Sequence, residues 1–247
     1  MVNNVIKMLI ITGVFLPLGI FLGCGVVYVF NRLPARWLCD YGEEPAEELL
    51  DMSIQRIKGF PNKLMFSFLF ATLGIFFGIK DYVYAAATLL ELWLLLMIAI
   101  SDQKYMIIPD QFVIFLALFA FPMSIYRKSV LDMLLGLCLG SGVMLAAALA
   151  AVAVHRAVEL VDAFASRLLV QAVDVLRDDG LELMGAIGLT AGLGGTAFIL
   201  AASSLMSCCA FAYKLAAKKM KKSDALPLAP YIAVAAAIYM FINGAMM

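Results

Sequence analysis

Charge is scarce in this chain, histidine is almost absent, and neither sign of charge prevails. Charged residues make up 15% of the sequence, there is a single histidine, and eighteen Lys and Arg balance eighteen Asp and Glu. So even a balance gives no ground for nucleic-acid binding, which needs a basic surplus or stripe. The five cysteines, Cys24, Cys39, Cys138, Cys208 and Cys209, form no Cys-x-x-Cys pair. That excludes a zinc ribbon and a disulfide framework and leaves the cysteines as expected small core residues. His155 has no Cys or carboxylate at metal-ligand spacing, so no metal is expected. No phosphate-cradling loop, dinucleotide fingerprint, internal repeat or low-complexity segment is present.

What is there in quantity is apolar sequence. With 64% hydrophobic residues and a mean hydropathy of +0.98, the chain is too apolar for a soluble domain of its length. The expected fold is an all-α, polytopic membrane helix bundle, a single membrane domain over 1–247. A bilayer crossing takes about 20 apolar residues, or about 15 when the helix is upright or buried. On that measure about eight spans are expected, at 8–30, 64–79, 82–101, 111–126, 130–155, 181–193, 196–213 and 229–246. The first is longer than a signal-peptide core and reads as a retained helix. The sixth and seventh are divided only by Gly192, Gly194 and Gly195, which favour a tight turn; one long tilted helix is the alternative.

Basic residues set orientation. The loops 31–63, 102–110, 156–180 and 214–228 carry fourteen Lys and Arg, whereas the other side has only Lys7, Lys80, Arg127 and Lys128. The first group is therefore expected in the cytoplasm, with both termini outside. Of these loops, 31–63 reads as a structured cytoplasmic loop with a short helix from Pro45 onward. The stretch 156–180 reads as an amphipathic helix on the membrane or against the bundle, with polar and apolar residues alternating every three to four positions.

The chain is organised around Glu91–Asp110, ELWLLLMIAISDQKYMIIPD. An apolar run ends in Asp102, and a short link closing in Ile-Pro-Asp leads into the next, which places Asp102 on a loop between two helices. Acids at membrane depth are few: Glu91, Asp102, Asp110, Asp132, Asp178, Asp179 and Glu182. Two carboxylates that share a proton can hydrolyse a peptide bond, one activating water and the other polarising the carbonyl. Asp102 supplies the first, and Asp178, Asp179 or Glu182 the second, from helix ends at one depth. Glu91, eleven residues before Asp102, lies on the same helix face. It is either a polar contact inside the bundle or part of a hydrated path to the site. Ser203, Ser204 and Ser207 read as helix-packing residues.

Four segments carry a resemblance: FLGCGVVYVFNRLP at the end of the first span, SDQKYMIIPD, ELMGAIGLTAGLGG, and KKMKKSDALPLAPYIAVAA entering the last span. Together they resemble the bacterial type IV prepilin peptidases, intramembrane aspartyl proteases that serve pili and type II secretion. The resemblance implies Asp102 as first catalytic aspartate and Asp110 as a helix cap or loop anchor. It implies a second aspartate at the end of a Gly-x-Gly-Asp motif, where this chain instead reads LRDDGLELMGAIG. Aligned on Gly188, the motif aspartate falls on Gly180, so the role passes to Asp179, with Asp178 as alternative. The family's four-cysteine zinc loop is reduced here to Cys39. By the same resemblance the substrate is a prepilin or pseudopilin with a basic leader, which the acids Glu43, Glu44, Glu47 and Glu48 would attract. The enzyme would work in the bacterial inner membrane, and S-adenosylmethionine would be the methyl donor if the new N-terminus is also methylated. The rival expectations are a catalytically inactive relative that binds pilins or assembly proteins, and a small transporter using Glu91 and Asp102 as a proton path.

Overall fold

A computed structural model describes residues 2–39, 45, 47–50, 54–127, 129–159, 179–217 and 226–246, with backbone alone at 2–5, 47–48, 120–127, 148, 151–159, 179 and 246. Every regular element among the described residues is helical: α1 (Val2–Asn31), a 3-10 turn at Ala35–Leu38, α2 (Glu47–Leu50), α3 (Asn62–Lys80), α4 (Tyr82–Tyr105), α5 (Asp110–Arg127), α6 (Val130–Glu159), α7 (Asp179–Ala216) and α8 (Ala229–Met246). Among the described residues five helical stretches are long and apolar enough to cross a membrane by length and composition: Ile6–Asn31, Asn62–Lys80, Tyr82–Tyr105, Val130–Ala147 and Gly180–Ala216, the last of which is interrupted at Gly192.

Close contacts fix the direction of each helix. Gly23 packs on Ser67 and Gly19 on Ala71, while Phe15 meets Gly74, so α1 and α3 are antiparallel. Tyr84 Oη donates to the Met240 carbonyl at 3.2 Å, and Ala229 N–H donates to Asp102 at 2.7 Å, so α4 and α8 are also antiparallel. Gly136 packs against the Gly188 carbonyl and Gly140 against that of Met184, which sets α6 against the first part of α7.

α7 is not one rod. Gly192 has φ +70° and ψ −177°, a conformation that only glycine adopts without strain. A side chain at Gly140 would meet both the Met184 carbonyl and, at 3.4 Å, Cγ2 of Thr196. In a continuous helix Met184 and Thr196 would stand about 18 Å apart. The chain therefore reverses at Gly192, and α7 is a hairpin of two limbs, 179–191 and 193–216. The glycine-rich stretch is a tight turn, and the long tilted helix is ruled out.

These directions give the bundle two faces. The ends of α1, α4, α6 and the second limb, together with the starts of α3, α5, α7 and α8, lie on the face of Asp102. The opposite ends gather on the face of Asp132 and Gly192. α4 lies at the centre, packed against α1, α3, α5 and α8. Its buried residues run almost all round it, from Tyr84, Thr88 and Glu91 to Ser101 and Asp102.

Two expectations need correction. The third span, expected to end at Ser101, continues as helix for one more turn to Tyr105, so Asp102 sits inside the last turn of α4 and not on a loop. Gln103 and Lys104 are polar but helix-competent, and the break comes only at Met106, whose φ of 58° ends the helix in a left-handed cap. The cysteines are not core residues either. Cys138, Cys208 and Cys209 are exposed on helix surfaces, and all five are free thiols. Apolar surroundings in sequence did not mean burial, because the outer surface of a membrane bundle is itself apolar.

Candidate active site

The site is built from the last turn of α4 outward. Asp102 is only 6% exposed. Its main-chain carbonyl accepts the Met106 N–H at 2.9 Å, which closes the helix. Its side chain does something less local: Oδ2 accepts the Ala229 N–H at the first position of α8. That N–H is one of the donors every helix leaves unmatched at its start, and the positive end of the α8 dipole favours the carboxylate. Leu226-Pro227-Leu228-Ala229-Pro230 explains the geometry. Pro230 has no N–H of its own to satisfy, so the Asp102 carboxylate takes one of the few donors this end offers.

A folded cap closes over this end of the bundle. Asn31, at the end of α1, donates from Nδ2 to the Ile57 carbonyl at 3.0 Å and accepts the Ile57 N–H at 2.7 Å. Arg56 is buried, and its guanidinium donates to the carbonyls of Leu33 at 2.6 Å, Leu49 at 2.9 Å and Phe30 at 3.4 Å. Lys104, two residues after Asp102, donates to the Arg56 carbonyl. Tyr105 stacks on Phe30 with ring centroids 6.4 Å apart, and Trp37 meets the Phe112 ring edge-on at 6.0 Å. The described part of the loop after the first span is thus a lid clamped to α4 and α5. It holds the expected short helix, α2, and a 3-10 turn that no sequence signal announced.

The other acids divide by place. Asp110 is the first residue of α5, reached from Asp102 through Met106–Pro109. Asp179 is the first residue of α7, on the Asp102 face. Asp178 lies outside the described residues, as does the Asp179 side chain. Glu182 is exposed in the first turn of α7, and the buried Gly180 stands between the two. Glu91 is 2% exposed, on the same buried stripe of α4 as Tyr84, Leu95, Ile98 and Asp102. Thr88 Oγ1 and Ser101 Oγ are also buried, without a hydrogen-bond partner among the described residues. Asp132 belongs to the other face, where Oδ1 accepts the Leu193 N–H at 3.1 Å and caps the second limb.

Residues 160–178 of the expected amphipathic segment 156–180, Glu43, Glu44 and residues 218–225 of the basic loop 214–228 lie outside the described residues, as do the side chains of Glu47 and Glu48. Ser203 is buried and donates back to the Leu200 carbonyl at 3.2 Å, and Ser207 to that of Ser204 at 3.0 Å, so both are satisfied within their own helix. Among the described residues no three of His, Cys, Asp and Glu stand together as a metal ion would require.

Compared with known families, curated proteins and solved structures, the chain matches none. Its chemistry must be argued from the site alone. Sequence reasoning missed Arg56, which counted only as one more cation on the basic side. No local signal marked it, because Gln55 and Lys58 make its surroundings polar in sequence and its carbonyl partners lie 7 to 26 residues earlier in the chain.

Proposed function

We propose that this chain is an aspartyl endopeptidase of the prepilin-peptidase kind, embedded in the bacterial inner membrane. It removes a short basic leader from the front of a hydrophobic pilin or pseudopilin helix. The observation that carries the reading is the buried carboxylate of Asp102, in the last turn of an apolar helix and on the same face as the start of α7. In this reading Asp102 and Asp179 share a proton. One carboxylate takes a proton from water as the water adds to the scissile carbonyl; the other gives a proton to the departing amine as the C–N bond breaks. The loops on the Asp102 face point to the cytoplasm, because they hold fourteen of the eighteen basic residues. Eight crossings then follow from α1, α3, α4, α5, α6, the two limbs of α7, and α8.

Methylation by S-adenosylmethionine forms no step of this proposal. A sizeable cavity between α1, α4 and the start of α3 has a mostly apolar lining, with Cys24, Tyr28 and Lys63 as its polar side chains apart from the Trp93 indole. It offers no carboxylate for a ribose or a sulfonium.

The bond to Ala229 also favours a second reading, in which Asp102 is only a cap and the chain binds pilins without cutting them. Asp102→Asn separates the two. Asparagine caps a helix about as well as aspartate, so Oδ1 still accepts the Ala229 N–H while the proton-transfer group is lost. Co-expressed with a prepilin, the Asn variant is expected to remain folded in the membrane and to leave the leader uncut. Processing at the wild-type rate would overturn the peptidase reading, and a wild-type chain that cuts no prepilin would favour the binding one.

A further inference from the structure

The cavity between α1 and α4 has a volume of about 610 Å³, and Phe21, Gly25, Tyr28, Lys63, Leu90 and Trp93 line most of it. It opens on the outside of the bundle, where Phe21 and Tyr28 are 73% and 56% exposed. Its floor is carbon, because the indole N–H there is already engaged: Trp93 Nε1 donates to the Leu22 carbonyl at 3.1 Å. Gly25 leaves the indole face open, with the Trp93 nitrogen 3.8 Å from where a Cβ would sit. Polarity returns only at the end nearest the Asp102 face. There Lys63 is exposed and forms no ion pair with a described residue, and Arg32 lies over the Tyr28 ring, 4.3 Å from its centroid, and bonds its hydroxyl.

We propose that this groove holds one anionic phospholipid, its acyl chains along Trp93 and Gly25 and its phosphate between Lys63 and Arg32. The inference needs only that the chain lies in a bilayer, and it stands apart from the peptidase reading. Size argues against a partner helix as occupant. Along α1 the groove runs from Phe21 to Val29, about 12 Å, and that length of helix with side chains fills roughly 1,000 Å³. Flexible acyl chains fit the smaller space. Apolar contact cannot select this ligand, since lipid tails are as apolar as the groove. The selection comes from the head group, and each basic side chain near the membrane surface adds roughly fivefold for an anionic lipid.

Trp93 and Trp37 are the only tryptophans, so Trp37→Phe makes Trp93 the sole reporter at the groove floor. In that background, brominated phosphatidylglycerol diluted into phosphatidylcholine bilayers is expected to quench Trp93 at least about fivefold more effectively than brominated phosphatidylcholine at equal dilution. Lys63→Gln with Arg32→Gln should make the two lipids equal, and Gly25→Leu, which fills the groove, should weaken quenching by both. Inorganic phosphate at matched ionic strength should not displace the brominated lipid. Equal quenching by both lipids before substitution, selectivity that survives loss of both cations, or displacement by a hydrophobic helical peptide would each overturn the proposal.

Discussion

Two aspartates on opposite faces of the bundle make the same kind of bond in different surroundings. Asp132 stands in the first turn of α6 and caps the second limb of α7 from across the Gly192 turn, half-exposed. Asp102 stands in the last turn of α4 and caps α8, almost wholly buried. The α6 dipole welcomes a negative charge at its start, whereas the α4 dipole opposes one at its end, each by about 0.3–1 kcal/mol at exposed positions. Asp132 is thus explained by the turn it holds. Asp102 sits where its own helix disfavours it, and the start of α8 offsets that cost. A neutral Asn or Ser would cap α8 without the penalty. The carboxyl group at position 102 therefore asks for a reason beyond folding, and the proposed proton transfer would be one.

The contrast can be broken most directly by exchanging carboxylate for amide at both sites. Asp102→Asn is expected to lower prepilin cleavage at least about 100-fold, within the range that general acid–base groups contribute. Asp132→Asn should leave cleavage within about twofold of wild type, read by gel shift of the processed pilin. Equal losses at both sites would reduce Asp102 to a second cap.

Smaller effects sharpen the structural side of the comparison. Gly192→Ala places a side chain on a positive-φ residue and against the Asp132 carboxylate. It should destabilise the protein by about 1–3 kcal/mol, seen as a lower melting temperature in detergent. Arg56→Gln removes the charged donors to three carbonyls beneath the lid, at a cost of about 1.5–3 kcal/mol. Its signature should be local, as faster proteolysis within 31–63 while the rest of the chain stays protected. Asp132→Asn should cost the least, about 0.5 kcal/mol or below in the same melt, because the cap survives the exchange.

The helices were legible because a crossing needs a long apolar run, and such runs have visible ends. The expected span 64–79 became α3 at Asn62–Lys80, and 229–246 became α8 over the same residues. The break between the sixth and seventh spans was also legible, since glycines mark the place where φ must turn positive. The last turn of α4 was not. Ser101-Asp102-Gln103-Lys104 looks like the start of a loop by polarity, yet it stays helical to the Met106 cap, and there the Asp102 carboxylate meets a donor on a segment far along the chain. No local pattern announces a bond of that kind. The lid was half legible: the acids and Pro45 suggested a short helix, but the Arg56 clasp depends on carbonyls from two separate segments, Phe30 with Leu33 and Leu49. The second carboxylate is where sequence reasoning had least to work with, because Gly180 stands where the family pattern places an aspartate.

The bond between Asp102 and Ala229 also orders events in time. The two residues are 127 positions apart. At about 5–20 residues per second, a ribosome that has just made Asp102 needs roughly 6–25 s more to reach Ala229. Through that interval α4 is complete while the donor that will receive its carboxylate does not yet exist. The contact between the central helix and α8 is therefore among the last in the bundle that synthesis allows to form.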